Sequence, residues 1–196
     1  MMEKSFSLSG YASLDIICDA NASTYSVVIS KKPYGCDPIA ATLNLDEWKS
    51  LAIQLPSIKA MAQVAWEEIR AGVTPSLQQV QRALSVNYLL TLNAYTAPNG
   101  NVYVTTGIRR YFINDQGESV PKKAGGVSLS YEELSNLAQR EEAINEYLGN
   151  CLSSVKTIVV NGHEDIRAAH QLVDQFWHMG WGKCRLVLEK PSAKMD

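Results

Sequence analysis

The sequence predicts an α+β protein in which one unit, several strands followed by a helix, occurs twice before a strand-helix-strand tail. Three observations lead there. The same order of elements recurs at a spacing of about 75–85 residues. The passage from strand into helix has the same form in two places, TLNLDEWKSL from Thr42 to Leu51 and SLSYEELSNL from Ser128 to Leu137. The residues after Val155 follow a different pattern and repeat nothing before them.

The first copy starts at Ser13 with SLDIICD, turns through ANAS and continues as TYSVVISKK. After a loop it reads IAATL and then a helical stretch that reaches Arg70, with Gly72 and Pro75 marking its end. Pro56 falls inside that stretch and is expected to kink or split the helix near Gln54 or Leu55. PSLQQVQRAL, from Pro75 to Leu84, reads as a short connecting helix. The second copy starts at Asn87 with NYLLTLNAY, turns at Asn99-Gly100 and continues as NVYVTTGIRRYFI. A second turn covers Asn114 to Gly117.

The two cap passages pair Thr42 with Ser128, Leu43 with Leu129, Asn44 with Ser130, Glu47 with Glu133, Trp48 with Leu134 and Leu51 with Leu137. Asn44 and Ser130 suit helix N-caps, accepting a bond from an otherwise unpaired backbone N–H. The acidic residues behind them face the positive end of the helix dipole. Apolar stripes follow, Trp48, Leu51, Ala52 and Leu55 in one helix and Leu134, Leu137, Ala138, Ile144 and Leu148 in the other. In the tail, VKTIVV and CRLVLE read as strands around an amphipathic helix from His163 to Met179. The expected domains are residues 1–75, 76–152 and 153–196.

Composition narrows the function classes. With 196 residues, 46% of them hydrophobic, the chain can bury a core. Its net charge of -2 and pI near 5.9 give no global attraction to nucleic acid, so only a local basic patch could supply one. Cys18, Cys36, Cys151 and Cys184 form no CxxC pair and no disulfide framework, so reduced thiols and an intracellular protein are expected. The first residues carry no signal-peptide pattern, and no run approaches the ~18 apolar residues of a membrane span. Nothing separates nucleus from cytoplasm.

No catalytic set emerges, so a non-enzyme is expected, with no cofactor. His163, His170 and His178 are spaced by seven and eight residues along one helix, roughly 10–12 Å apart and too far for one metal. Asn161-Gly162 reads as a turn and Glu164-Asp165 as a first helical turn. The glycines make no phosphate-binding loop. Trp177, Trp181 and Phe176 read as packing residues.

The basic residues concentrate in one hairpin. Arg109, Arg110, Lys122 and Lys123 sit there, while Glu132, Glu133, Glu141, Glu142 and Glu146 lie on the helix that follows. If Asp115-Gln116 formed the tip of a two-residue hairpin, Arg109 would face Lys122 and Tyr111 would face Val120. Arg109, Tyr111 and Lys122 would then share one side of the sheet, and Arg110, Phe112 and Lys123 the other. Facing cations repel, which favours an anion between them, and a phosphate backbone beside an aromatic ring is the natural one.

The stretch IRRYFINDQGESVPKKAGGVSLSYEELSNL, from Ile108 to Leu137, resembles the positive cofactor 4 family of single-stranded-DNA-binding domains. The shared features run in order. Ile108-Arg109 is followed by the Tyr111-Phe112 aromatic pair, the Asn114 to Gly117 turn, Pro121 with Lys122-Lys123, a glycine at 125 or 126, Val127, Ser128-Leu129 and a capped helix. This chain has one extra residue near Gly125-Gly126. The first copy matches well only from Thr42, and its hairpin is shorter, with Lys31, Lys32 and Tyr34 as counterparts.

The resemblance implies two curved antiparallel four-stranded sheets, each followed by a helix, packed as an intramolecular pseudo-dimer. It implies binding of single-stranded DNA, with RNA as an alternative, at little sequence specificity, in transcription, replication or recombination. The residues it nominates are Arg109, Arg110, Tyr111, Phe112, Lys122 and Lys123, with Lys31, Lys32 and Tyr34 in the weaker copy. The competing expectation is an interaction module that kept the fold and lost the ligand. In that case the tail would serve a protein partner or a homo-oligomer.

Overall fold

The computed structural model describes residues 2–19, 24–153, 157–161 and 185–189. It is α+β, with two antiparallel sheets and two long helices. Strands β1 (Met2–Ser7), β2 (Ala12–Asp19), β3 (Thr24–Lys31) and β4 (Ile39–Leu43) form a sheet in sequential order and lead into helix α1 (Leu45–Arg70). Strands β5 (Val80–Ala83), β6 (Tyr88–Thr96), β7 (Val102–Ile113) and β8 (Ser119–Ser130) form a second sheet, again in sequential order, and lead into α2 (Tyr131–Ser153).

One compact unit, Met1–Glu142, holds both sheets and α1, and the boundary to a second unit, Ala143–Asp196, falls within α2. In the second unit, β9 (Thr157–Asn161) and β10 (Arg185–Glu189) pair in parallel. The helix expected from His163 to Met179 lies outside the described residues, as do its histidines, Phe176, Trp177, Trp181 and Cys184. No helix among the described residues is long and apolar enough to cross a membrane.

Both helices begin as their sequences dictate. The Asn44 side chain accepts from the Glu47 backbone N–H at 2.9 Å, and the Glu47 carboxylate accepts from the Asn44 N–H at 2.9 Å. Ser130 and Glu133 repeat this capping box at 3.3 and 2.8 Å. At the far end of α1, the N–H groups of Gly72 and Val73 bond the carbonyls of Ile69 and Glu68, a Schellman closure.

Two local expectations are corrected. Helix α1 is not split at Pro56. An interior proline costs about 3 kcal/mol. Here its ring lies on the exposed side, and buried anchors flank it, with Leu51, Ala52 and Leu55 before and Ile58, Ala62 and Ala65 after. The second correction concerns residues 75–84, which form no helix. Val80–Ala83 is the edge strand β5, paired from Val80↔Leu92 to Ala83↔Leu89. Val80 and Arg82 alternate with exposed Gln81 and Ala83, so a period of two prevails once β6 offers a ladder.

The core lies between the sheets' inner faces and the helix stripes. Leu14, Ile16, Val27, Ile29, Ala41 and Leu43 come from the first sheet. Leu90, Leu92, Ile108, Val127 and Leu129 come from the second, with Trp48, Leu51, Leu55, Leu134 and Leu137 from the helices. Helix α1 packs on β3 and β4 and also on β6 and β7 of the second sheet, and the two sheets meet along β4 and β8.

The junction uses matched polar contacts. Leu8 and Ser9 donate their N–H groups to the Ala12 carbonyl, and Leu84 and Ser85 donate theirs to the Tyr88 carbonyl. The Ser9 hydroxyl donates to the Glu133 carboxylate at 3.0 Å, and the Ser85 hydroxyl donates to the Glu47 carboxylate at 2.7 Å. The capping glutamate of each helix therefore ties down a serine turn beside the other sheet. Both glutamates are 5% exposed.

Candidate nucleic-acid interface

Register decides which side chains share a surface. In the second sheet, Tyr95↔Tyr103, Asn93↔Thr105, Thr91↔Gly107 and Leu89↔Arg109 face one another across β6 and β7. Gly126, Ser128 and Ser130 of β8 continue the same rows. Pleating puts this set on the side opposite Leu90, Leu92 and Ile108, the outer face, where Leu89 and Thr91 are buried near Arg109 and the far end is exposed. It carries no acidic residue. Tyr95 and Tyr103 stand at one end, 50% and 42% exposed, with ring centroids 5.7 Å apart and planes inclined by 29°.

Arg109 stands about 20 Å from Tyr103, six residues along the strand. It is half-buried and lies flat, because glycines face it. A Cβ on Gly126 would lie 2.8 Å from Arg109 Cγ, and one on Gly107 would lie 3.6 Å from Arg109 Nε. The guanidinium donates to the Ser128 hydroxyl at 2.8 Å. Between arginine and tyrosines the floor is made of Thr91, Asn93, Thr105 and Gly107. The outer face of the first sheet is different. Its described side chains include Glu3, Ser5, Ser7, Ser13, Asp15, Ser26 and Ser30, and among the described side chains it has two acids, no cation and no aromatic ring.

The expected Arg109–Lys122 opposition is not formed. The turn after β7 is one residue longer at its tip than a two-residue hairpin. The Asn114 N–H bonds the Glu118 carbonyl, Gly117 N–H bonds the Asn114 carbonyl, and the Asn114 side chain accepts from Gln116 and Glu118 N–H. Tyr111 therefore faces Pro121, and Phe112 faces Val120. Between Tyr111↔Pro121 and Arg109↔Gly126 the β8 strand bulges, with Gly125 at φ +85°. That bulge sets residues 122–125 of β8 against Arg110 alone, so it holds the extra residue noticed near Gly125-Gly126 among others and moves Lys122 off the arginine row.

The nominated residues therefore separate. Arg109 belongs to the outer face. Arg110, Tyr111 and Lys122 line a cavity of about 420 Å³ where the sheets meet, together with Asn87, Tyr88, Ser26, Thr42, Asn44 and Glu47. Arg110 Nε donates to the Tyr88 phenol oxygen at 3.3 Å, and this bond is the main cause holding its pKa above the ordinary arginine value. The Tyr111 hydroxyl donates to the Ser85 carbonyl at 3.1 Å, so its ring is fixed rather than free to stack. Phe112 is 46% exposed in the hairpin arm. Lys123 lies in β8, and its side chain is outside the described residues.

On the first sheet, Lys31 is committed to Glu133 at 2.7 Å. Lys32 is exposed, and Tyr34 is 94% exposed in the loop before β4. Sequence reasoning passed over Tyr95 and Tyr103. Their signal was available, since they flank the Asn99-Gly100 turn at distances that place them opposite each other. Among the described residues no group of three His, Cys, Asp or Glu is placed to hold a metal ion.

Replacing Gly126 by alanine tests the flat arginine. The added Cβ would meet the Ile108 carbonyl oxygen at 2.6 Å and Arg109 Cα at 2.8 Å, both backbone atoms that do not yield cheaply. The expected loss is about 2–3 kcal/mol in chemical denaturation. An unchanged midpoint would show that β7 and β8 are not held this close.

No protein-family model matches the chain, and no curated protein matches it.

Proposed function

We propose that the chain is an intramolecular pseudo-dimer of two modules resembling positive cofactor 4, and that it binds single-stranded nucleic acid on the outer face of its second sheet. The observation that carries this is the pairing of exposed, stacked Tyr95 and Tyr103 with Arg109 on one acid-free face. Bases stack on aromatic rings whatever their identity, and a guanidinium about 20 Å away meets the backbone of the same strand. The span suits a few extended nucleotides. A duplex would bury its bases from the tyrosines, so the face favours single strands.

The pseudo-dimer reading draws on the matched junction. Equivalent serine turns bond equivalent capping glutamates across the interface, and α1 packs on the sheet of the other copy. Binding is asymmetric in this reading, because the first sheet offers serines and acids where the second offers tyrosines and an arginine.

The test is fluorescence anisotropy with a labelled oligo-dT of about 20 nucleotides and a matching duplex across a salt series. Salt-sensitive preference for the single strand is the expected result. Absence of binding even at low salt would sink the reading and leave the chain an interaction module.

A further inference from the structure

The two halves of the junction are alike in backbone and unlike in charge. The Lys32 N–H bonds the Tyr11 carbonyl, and the Tyr111 N–H bonds the Asn87 carbonyl. Lys31 and Arg110, one residue earlier, are therefore corresponding cations. Lys31 reaches the capping glutamate of the opposite helix and closes its side of the junction with an ion pair at 2.7 Å. Arg110 does not close the other side.

The cause is a substitution between the copies. Where the first copy has Ala12, the second has Tyr88, matched by the turn bonds of Leu8 and Leu84. The Tyr88 phenol accepts from Arg110 Nε at 3.3 Å and from the Thr42 N–H at 3.2 Å, and the guanidinium lies over its ring at 5.7 Å. Glu47 has its carboxylate oxygens occupied by the Ser85 hydroxyl and the Asn44 N–H. Arg110 and Lys122 make no salt bridge among the described residues, and both line the resulting cavity of about 420 Å³.

We infer that this cavity is a second site, distinct from the outer face, which takes a phosphate monoester between Arg110 and Lys122. The Glu47 charge acts on Arg110 only at a distance, and among the described residues no carboxylate forms a salt bridge with Arg110 or Lys122, so both remain open to an anion; a guanidinium and an ammonium are the groups that hold phosphate best. The volume fits a nucleotide, and Asn87 completes the polar wall. The monoester has two sources, the 5′ end of a bound strand or a free mononucleotide.

The experiment compares 5′-phosphorylated and 5′-hydroxyl oligo-dT of equal length by anisotropy, and titrates thymidine 5′-monophosphate by calorimetry. Preference for the phosphorylated end by about tenfold, lost in Arg110→Ala and in Lys122→Ala but kept in Tyr103→Ala, supports the site with a strand end as its ligand. Binding of the mononucleotide that both variants lose, without end preference, supports the site with a free nucleotide. Equal affinity for the two oligonucleotides and no heat with the mononucleotide overturns the inference. The 5′-hydroxyl oligonucleotide separately judges the outer face, so the two readings fail independently. Lys122 is exposed, so its truncation leaves the fold intact and keeps the test interpretable.

Discussion

Replacing Tyr95 and Tyr103 together by alanine is expected to weaken oligo-dT binding roughly thirtyfold or more, since each base-stacking ring contributes about 1–3 kcal/mol. The slope of affinity against salt should not change, because no charge is removed. Arg109→Ala should do the opposite. It releases one phosphate contact, so the slope should fall by about 0.7. Arg109→Lys keeps the charge but loses the planar group that lies over Gly107 and donates to Ser128, so it should keep the slope and still lose affinity. Both tyrosines are at least 42% exposed, so the double variant should unfold within about 0.5 kcal/mol of the parent. If the tyrosine variant binds as the parent does, the strand does not use this face.

Those tyrosines show where reading the sequence stops. The turn at Asn99-Gly100 was legible, because only a few residue types suit such a turn. What stacks on what depends on register, and register depends on residues counted across each loop. One extra tip residue and one bulge in β8 were enough to move Arg109 from Lys122 to Gly126. A one-residue slip exchanges the faces of a strand, so a hairpin read one residue short nominates the wrong neighbours.

Local signals fared better than distant ones. Asn44 and Ser130 cap helices as their sequences require, since a cap involves residues three apart. Edge strand β5 was misread as a helix because its ladder partner, β6, decides its conformation. Lys31 was nominated for an anion from outside the protein. Its partner Glu133 stands 102 residues away in sequence, and no local pattern announces it.

Glu133 should prove the costlier of the two capping glutamates to remove. Its carboxylate accepts from the Ser130 N–H at 2.8 Å, from the Ser9 hydroxyl at 3.0 Å and from the Lys31 ammonium at 2.7 Å. Glu133→Ala strips a helix cap, a turn anchor and an ion pair at once. About 3 kcal/mol is the expected loss, short of a fully buried pair because Lys31 keeps water access. For a chain of this size that is roughly 6–12 °C in melting temperature. Glu47→Ala should cost less, since no cation is stranded.

The effect has a pH signature. Burial by itself pushes the Glu133 carboxyl pKa up, but the Lys31 hydrogen bond, the Ser130 N–H, the Lys31 charge and the Ser9 hydroxyl outweigh it, so the carboxyl titrates below its ordinary value of 4.5. A depressed carboxylate pKa stabilises the fold above the unfolded value, and that stability is lost as pH falls through the folded one. The melting-temperature gap between parent and Glu133→Gln should therefore be full near pH 6 and shrink below pH 4.5. A gap that stays constant down to pH 3 would mean that the Glu133 charge is not what fastens the second helix to the Ser9 turn, and that the junction is held by packing alone.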